Sequence, residues 1–328
     1  MKNHGTPPYL LNPTHNPLAP AFPLPNYLNP FVADKVDLVP VPIFSSYVPN
    51  MKSFVVREML EDAAAAGKLK GKHTVIEATS GNTGASLGIE NPHYGIRRTI
   101  AVVERDTAPG KLEQLRLCGV EIMYPSENMT TIGTARELGK QKGWINLDQY
   151  ANPANPRAHE RYTGPHVWRE TRGKISAVVI PAGTTGSIIG TSNFLRRTSP
   201  RTLIVAAALA PGEAVPGART EEKLKEIAFD WRSSINDLVL VKRDPSYRAS
   251  LDLIRSGRMF GPSSGLSFWA ALQFIQKLKE RNALDSLRFP DGRIAIAFTC
   301  GDLPFPYMDK YSTILEGAAF NPLDPSTL

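Results

Sequence analysis

The chain has 328 residues, 42% of them hydrophobic and 21% charged, and carries a net charge of +7. That length accommodates one large α/β unit or two domains of ordinary size, and no run approaches the ~20 apolar residues of a membrane helix. Lysines and arginines are interleaved with acids and form no basic block with aromatics, which argues against a nucleic-acid partner and leaves a small anionic ligand as the source of the positive bias.

Residues 1–45 hold many of the 28 prolines, among them Pro7, Pro8, Pro13, Pro17, Pro20, Pro23, Pro25, Pro30, Pro40 and Pro42. Fixed φ angles and missing N–H donors at that density predict an extended arm, not a packed helix or a central strand. Its apolar side chains (Leu10, Leu11, Phe22, Tyr27, Leu28, Phe31) predict that the arm docks on another surface beyond about residue 20. No basic segment followed by an apolar core opens the chain, so a secretory signal is not expected. Two cysteines, Cys118 and Cys300, fit a reducing, cytoplasmic setting rather than a disulfide framework. No two of the six histidines stand four positions apart, so no metal site is expected.

The spacing of Phe54, Val55, Met59, Leu60, Ala63 and Ala64 predicts a helix over 54–66, stopped at Gly67. Lys52 stands just ahead of it, where a lone lysine is ordinarily a solvated surface residue. Val75 and Ile76 open a strand that runs into Thr79-Ser80-Gly81-Asn82-Thr83-Gly84, a polar turn followed by a small-residue helix. Strands at 99–103, 120–123 and 144–147 then alternate with helices at 111–117 and 131–141. A loop at 151–156 is the natural domain boundary. Next come a helix over 159–171, a strand at 177–180, the turn Gly183-Thr184-Thr185-Gly186-Ser187 and a helix through Leu195. A strand at 203–208, a loop at 210–217 and a helix at 247–256 precede Gly261-Pro262-Ser263-Ser264-Gly265, a helix over 268–281 and a last strand at 293–298. Such alternation predicts an α/β fold of open, mainly parallel sheets flanked by helices.

Three turns share one form: Gly with Ser, Thr or Asn at the start of a helix. In an open parallel sheet these are the places where ligands sit, and the 183–187 turn can offer several N–H groups and hydroxyls to a phosphate. A G-x-G-x-x-G fingerprint is absent and so is a P-loop, so the phosphate is not expected to belong to NAD or to a nucleotide held by a P-loop.

Together these segments resemble the cysteine synthase and cystathionine β-synthase group of fold-type II pyridoxal-phosphate enzymes. Lys52 precedes Thr79 by 27 positions, similar to the family spacing from the Schiff-base lysine to its T-S-G-N-T-G loop. Gln149-Tyr150-Ala151-Asn152-Pro153-Ala154-Asn155-Pro156, with Thr163-Gly164-Pro165 after it, resembles the family's Q-F-x-N-P-A-N-P…T-G-P stretch. The 183–187 turn resembles the G-T-G-G-T phosphate cup, and the 261–265 turn the G-I-S-S-G segment. The resemblance keeps the family order and covers roughly residues 45–310.

The resemblance implies roles. Lys52 would bind pyridoxal 5′-phosphate and, once released, remove the substrate's α-proton. Asn82 would bond the cofactor's phenolic oxygen, and Thr79, Ser80, Thr83 and Gln149 the substrate α-carboxylate. Gly183, Thr184, Thr185, Gly186 and Ser187 would cradle the phosphate, with Ser263 at the pyridine nitrogen. The implied reaction is β-replacement on O-acetylserine or O-phosphoserine through an aminoacrylate, with sulfide as the default nucleophile and an amino acid as the only partner besides a second copy of the chain. The implied architecture is a Pro-rich arm (1–45) packed on a larger domain (156–328) that carries the phosphate cup, and a smaller domain (46–155) that carries Lys52 and the carboxylate loop.

Departures leave alternatives open. Asn50-Met51-Lys52-Ser53-Phe54 replaces S-V-K-D-R, Thr185 stands where the cup has Gly, and Phe298-Thr299-Cys300-Gly301-Asp302 replaces the C-terminal P-S-S-G-E-R-Y. The glycine-rich G-I-G-x-G-F loop on the substrate side has no counterpart. Cystathionine synthesis, a specialised β-substituted alanine, elimination to pyruvate and a non-catalytic binding protein are therefore the rival readings.

Overall fold

A computed structural model describes residues 18–45, 48–79 and 81–321. The described chain forms two compact units. Among the described residues one comprises 18–19 with 44–158, the other 20–43 with 159–321.

The proline-rich segment contains the first strand, β1 (Val36–Pro42), which the sequence reading takes only as extended arm. β1 pairs in parallel with the last strand and forms the outer edge of its sheet. An edge strand hydrogen-bonds on one side only, so the missing N–H of Pro40 and Pro42 costs little there. The segment before β1 is tied to the same unit, with Ala21 N donating to Glu170 Oε2 at 2.8 Å and Lys279 bonded to Asp34.

In the first unit, helix α1 (Lys52–Ala65) is followed by β2 (Thr74–Ala78), α2 (Asn82–Glu90), β3 (Arg98–Val102), α3 (Pro109–Leu117), β4 (Val120–Met123), α4 (Thr131–Leu138), β5 (Trp144–Ile145) and α5 (Ala154–Ala158). Its four-stranded sheet has the order β4-β3-β2-β5 and is parallel throughout. β2 lies inside it and is buried along its whole length, Thr74 and Glu77 included. β5 is shorter than the 144–147 expected. From Asn146 onward the Glu77 carboxylate takes over the bonding, accepting from Asn146 Nδ2 and from the N–H groups of Asp148 and Gln149. α5 replaces the loop expected at 151–156. Asn152 Oδ1 accepts from Ala154 N at 3.0 Å, and Pro156 falls in the first turn, where no N–H is needed.

In the second unit the helix expected over 159–171 is two pieces, a π-helical turn over His159–Thr163 and α6 (Gly164–Glu170). Pro165 has no N–H to continue an α-helical ladder. Then come β6 (Ala177–Pro181), α7 (Gly186–Thr198), β7 (Leu203–Leu209), α8 (Glu221–Leu224), β8 (Asp237–Val241), α9 (Arg243–Arg255), α10 (Pro262–Glu280), β9 (Ile294–Cys300) and α11 (Met308–Ile314). The sheet order is β1-β9-β6-β7-β8, again all parallel. β8 and α11 are elements that the sequence reading does not name. The expected α/β class, with open parallel sheets flanked by helices, is what the structure shows.

Candidate active site

The first unit gathers its candidate residues at the C-terminal end of β2, where the chain turns into α2. Thr79 Oγ1 accepts from Gly81 N at 2.9 Å and from Gly84 N at 3.4 Å, so one hydroxyl orders the turn. Gly81 has φ 129°, a region open to glycine. Thr83 Oγ1 donates to Gln149 Oε1 at 2.8 Å, and Gln149 Nε2 donates to the Ala78 carbonyl at 2.7 Å. Thr79, Thr83 and Gln149 are all buried; Thr83 and Gln149 bond each other, while Thr79 bonds the backbone of its own turn. Ser80 lies outside the described residues.

Lys52 is the first residue of α1. Its N–H donates to Asn50 Oδ1 at 2.9 Å, and the same oxygen accepts from Ser86 Oγ of α2 at 3.0 Å. At the altered helix start Asn50, one residue before the N-cap Met51, thus orders the turn into α1 and ties α1 to α2. Desolvation of the Lys52 amine lowers its pKa to about 8. About a tenth of such an amine is neutral at pH 7, against less than about a thousandth of an ordinary lysine.

Two buried charges here escape the sequence reading. Lys111, in the first turn of α3, is 1% exposed. Its Nζ donates to Asn82 Oδ1 and, at 3.1 Å, to Gln114 Oε1. A cation in the first turn of a helix opposes the helix dipole, and that misfit is the signal in the sequence. Glu77 is buried inside β2, and burial, with the Asp148 carboxylate adding to it, pushes its pKa up to about 8 against the pull of the Gln149 and Asp148 N–H groups. An acid in a strand buried on both faces is its signal. A carboxyl raised in this way favours the protonated fold, so the stability it contributes is complete below about pH 4.5 and is lost as pH rises through about 8. Urea unfolding between pH 5 and 9 is expected to show the wild type losing about 1 kcal/mol or more relative to Glu77→Gln, which has no proton to give up.

In the second unit the turn after β6 leads into α7. A Cβ on Gly183 would lie 2.4 Å from the carbonyl oxygen of Gly217, so only glycine fits. Thr185 caps α7 with φ 64°, and its hydroxyl is buried with no hydrogen-bond partner among the described residues. Ser263, on the first turn of α10, is buried, and a Cβ on Gly217 would lie 3.9 Å from its Cβ. Gly217 therefore stands between the 183–187 turn and Ser263, and the sequence reading, which places it in a loop, does not single it out. Asp302 follows the last strand. It is buried, accepts a hydrogen bond from Tyr307 Oη, and its carbonyl holds Gly261 N at 3.0 Å ahead of α10. Burial raises the Cys300 thiol well above its ordinary pKa, which removes it as a nucleophile. Among the described residues no group of three or more His, Cys, Asp or Glu is placed to hold a metal ion, and no helix is long and apolar enough to cross a membrane.

The sequence profile described as "Pyridoxal-phosphate dependent enzyme" matches residues 48–286. The chain belongs to that family. Among its relatives are cysteine synthase B of Pseudomonas aeruginosa, 33% identical over 70% of this chain and 78% of that protein, and cystathionine beta-synthase of Apis mellifera, 30% identical over 74% of this chain and 52% of that protein. A crystal structure of a mutant O-ureido-L-serine synthase with O-ureido-L-serine bound shares the fold, with a TM-score of 0.75, 23% identity and coverage of 92% of both chains.

The residues present fit the family's cofactor. The second unit offers a helix N-terminus with an orphaned hydroxyl at Thr185, suited to a phosphate, and a floor at Gly217 that no side chain fills on the way to Ser263. Thr185 carries a local cost for a β-branched residue in the left-handed region, on the order of 1–2 kcal/mol. Thr185→Gly is expected to raise the melting temperature of the cofactor-free protein by a few degrees while removing a hydroxyl from the turn, as thermal unfolding with and without pyridoxal phosphate will show.

Proposed function

We propose that this pyridoxal-phosphate dependent enzyme catalyses β-replacement on a serine derivative whose side-chain oxygen has been made a leaving group, O-acetyl-L-serine or O-phospho-L-serine, with sulfide as the default nucleophile. The observation that carries this reading is the occurrence, in one unit, of the desolvated Lys52 amine, the turn ordered by the Thr79 hydroxyl and the Thr83–Gln149 hydrogen bond. The products named for the similar proteins (cysteine, cystathionine and O-ureido-L-serine) are all alanines substituted at Cβ, which supports the same bond change here.

Pyridoxal phosphate, when bound, supplies the electron sink for the substrate's α-carbon. Lys52 Nζ carries the cofactor and then takes the α-proton, a task suited to an amine that titrates near pH 8. Thr79, Ser80, Thr83 and Gln149 receive the α-carboxylate and so hold the Cα–H bond in line with that amine. Asn82 donates to the phenolic oxygen, and Gly183, Thr184, Thr185, Gly186 and Ser187 hold the phosphate. Ser263 offers the ring nitrogen a neutral hydroxyl. A hydroxyl there, unlike a carboxylate, would leave the ring nitrogen unprotonated. A cytoplasmic homodimer completes the proposal, and light scattering is expected to give twice the chain mass.

The test adds O-acetyl-L-serine, then O-phospho-L-serine, to the loaded enzyme, with sulfide or homocysteine present. A change in visible absorbance and the formation of cysteine are expected. Cystathionine alone would transfer the reading to homocysteine as nucleophile, and pyruvate alone to elimination. No response to either serine derivative would defeat β-replacement.

A further inference from the structure

The contact between Lys111 and Asn82 reaches beyond the family roles and rests on the function proposed above. We propose that Lys111 is a positioning residue that fixes the side-chain amide of Asn82 in the one orientation able to donate to the cofactor's phenolic oxygen. An ammonium group has only protons to give. Because Lys111 Nζ donates to Asn82 Oδ1, that oxygen must face Lys111, and the Nδ2 protons must face away from it. An asparagine amide that meets only groups able both to donate and to accept can turn over end for end. Here a permanent donor on one side breaks the symmetry.

The surrounding geometry is built for this contact. Lys111 is buried at the start of α3, and Gln114 Oε1, one turn further along the helix, accepts from its Nζ at 3.1 Å. Its alkyl stem crosses directly over Gly81, where a Cβ would lie 2.6 Å from Lys111 Cδ. The residue before Asn82 is therefore bare where the lysine passes. The positive φ at Gly81 bends the chain so that Asn82 opens α2 with its side chain at the amine. A buried cation beside the amide also favours negative charge on an oxygen that accepts from Nδ2. A neutral residue of similar length with no N–H to give, such as methionine, would provide neither effect.

The experiment loads wild type, Lys111→Met, Lys111→Gln, Asn82→Ala and the Asn82→Ala/Lys111→Met double variant with pyridoxal 5′-phosphate. It measures the dissociation constant, the position of the visible band and the melting temperature of each cofactor-free protein. Lys111→Met keeps the stem and removes the donor, so binding is expected to weaken about tenfold and the band to shift. Lys111→Gln, which keeps an N–H donor, is expected to recover most of both. In the Asn82→Ala background, Lys111→Met is expected to change binding less than about twofold, because nothing remains to be oriented. Binding and band unchanged in Lys111→Met, or an undiminished effect of it without Asn82, would overturn the proposal. Should Lys111→Met fail to fold, Lys111→Leu, which also lacks a donor, alone and combined with Asn82→Ala gives the same cycle. If the wild type takes up no cofactor, both this proposal and the function above fall. If it does and Lys111→Met is silent, only this one falls.

Discussion

Lys52→Ala is expected to abolish the visible absorbance of the loaded protein and to lower β-replacement by about a thousandfold or more, the loss that follows when a group serving as both nucleophile and base is removed. The amine titrates near pH 8 because burial disfavours its charged form. Only the neutral amine attacks an aldehyde. The rate at which the cofactor-free protein takes up pyridoxal phosphate should therefore climb about tenfold per pH unit below pH 8 and level off above it. Stopped-flow absorbance measures this directly. An uptake rate still rising at pH 10 would show an ordinary solvated lysine. The stability linkage has the opposite sign from that of Glu77. Lys52 in the folded protein binds fewer protons than in the unfolded chain between about pH 8 and its ordinary value of 10.5, so its burial costs less as pH rises through that window.

Gly183→Ala is expected to lower cofactor affinity by about a hundredfold or more, with a loss of about 1–3 kcal/mol in stability from forced displacement of packed backbone. The added methyl would lie 2.4 Å from the Gly217 carbonyl oxygen, so either the 183–187 turn or the Gly217 segment must move. Neither is a flexible side-chain tip. Moving Gly217 also disturbs the approach to Ser263, and the variant should lose affinity for pyridoxal phosphate more than for inorganic phosphate, which needs the turn alone. Equilibrium dialysis of the two ligands separates these effects. Equal losses for both would confine the damage to the turn.

Much of this molecule was legible before any coordinates. The alternation of short apolar runs with helical spacings revealed the parallel α/β class, and the ordered polar turns carried the family resemblance that the relatives bear out. Both signals are local: burial on both faces of a parallel strand writes a continuous apolar run, and a helix opening on a ligand writes glycine with hydroxyls.

What remained hidden depends on residues distant in the chain. β1 pairs with β9 across more than 250 positions, and only that pairing turns a proline-rich arm into an edge strand. The Glu77 carboxylate shortens β5 because it lies 69 to 72 positions from the groups it accepts from. Lys111 shows in sequence only as a cation misplaced in the first turn of a helix, yet the tertiary fold buries it, passes its stem over Gly81 and sets its amine on Asn82. By itself, then, the sequence determined the class of fold, the family and the chemistry its residue types can perform. Only the tertiary structure decided which charges lose their water and which side chains hold one another in place, because desolvation and hydrogen-bond direction are properties of neighbours in space, and a linear spacing does not encode them.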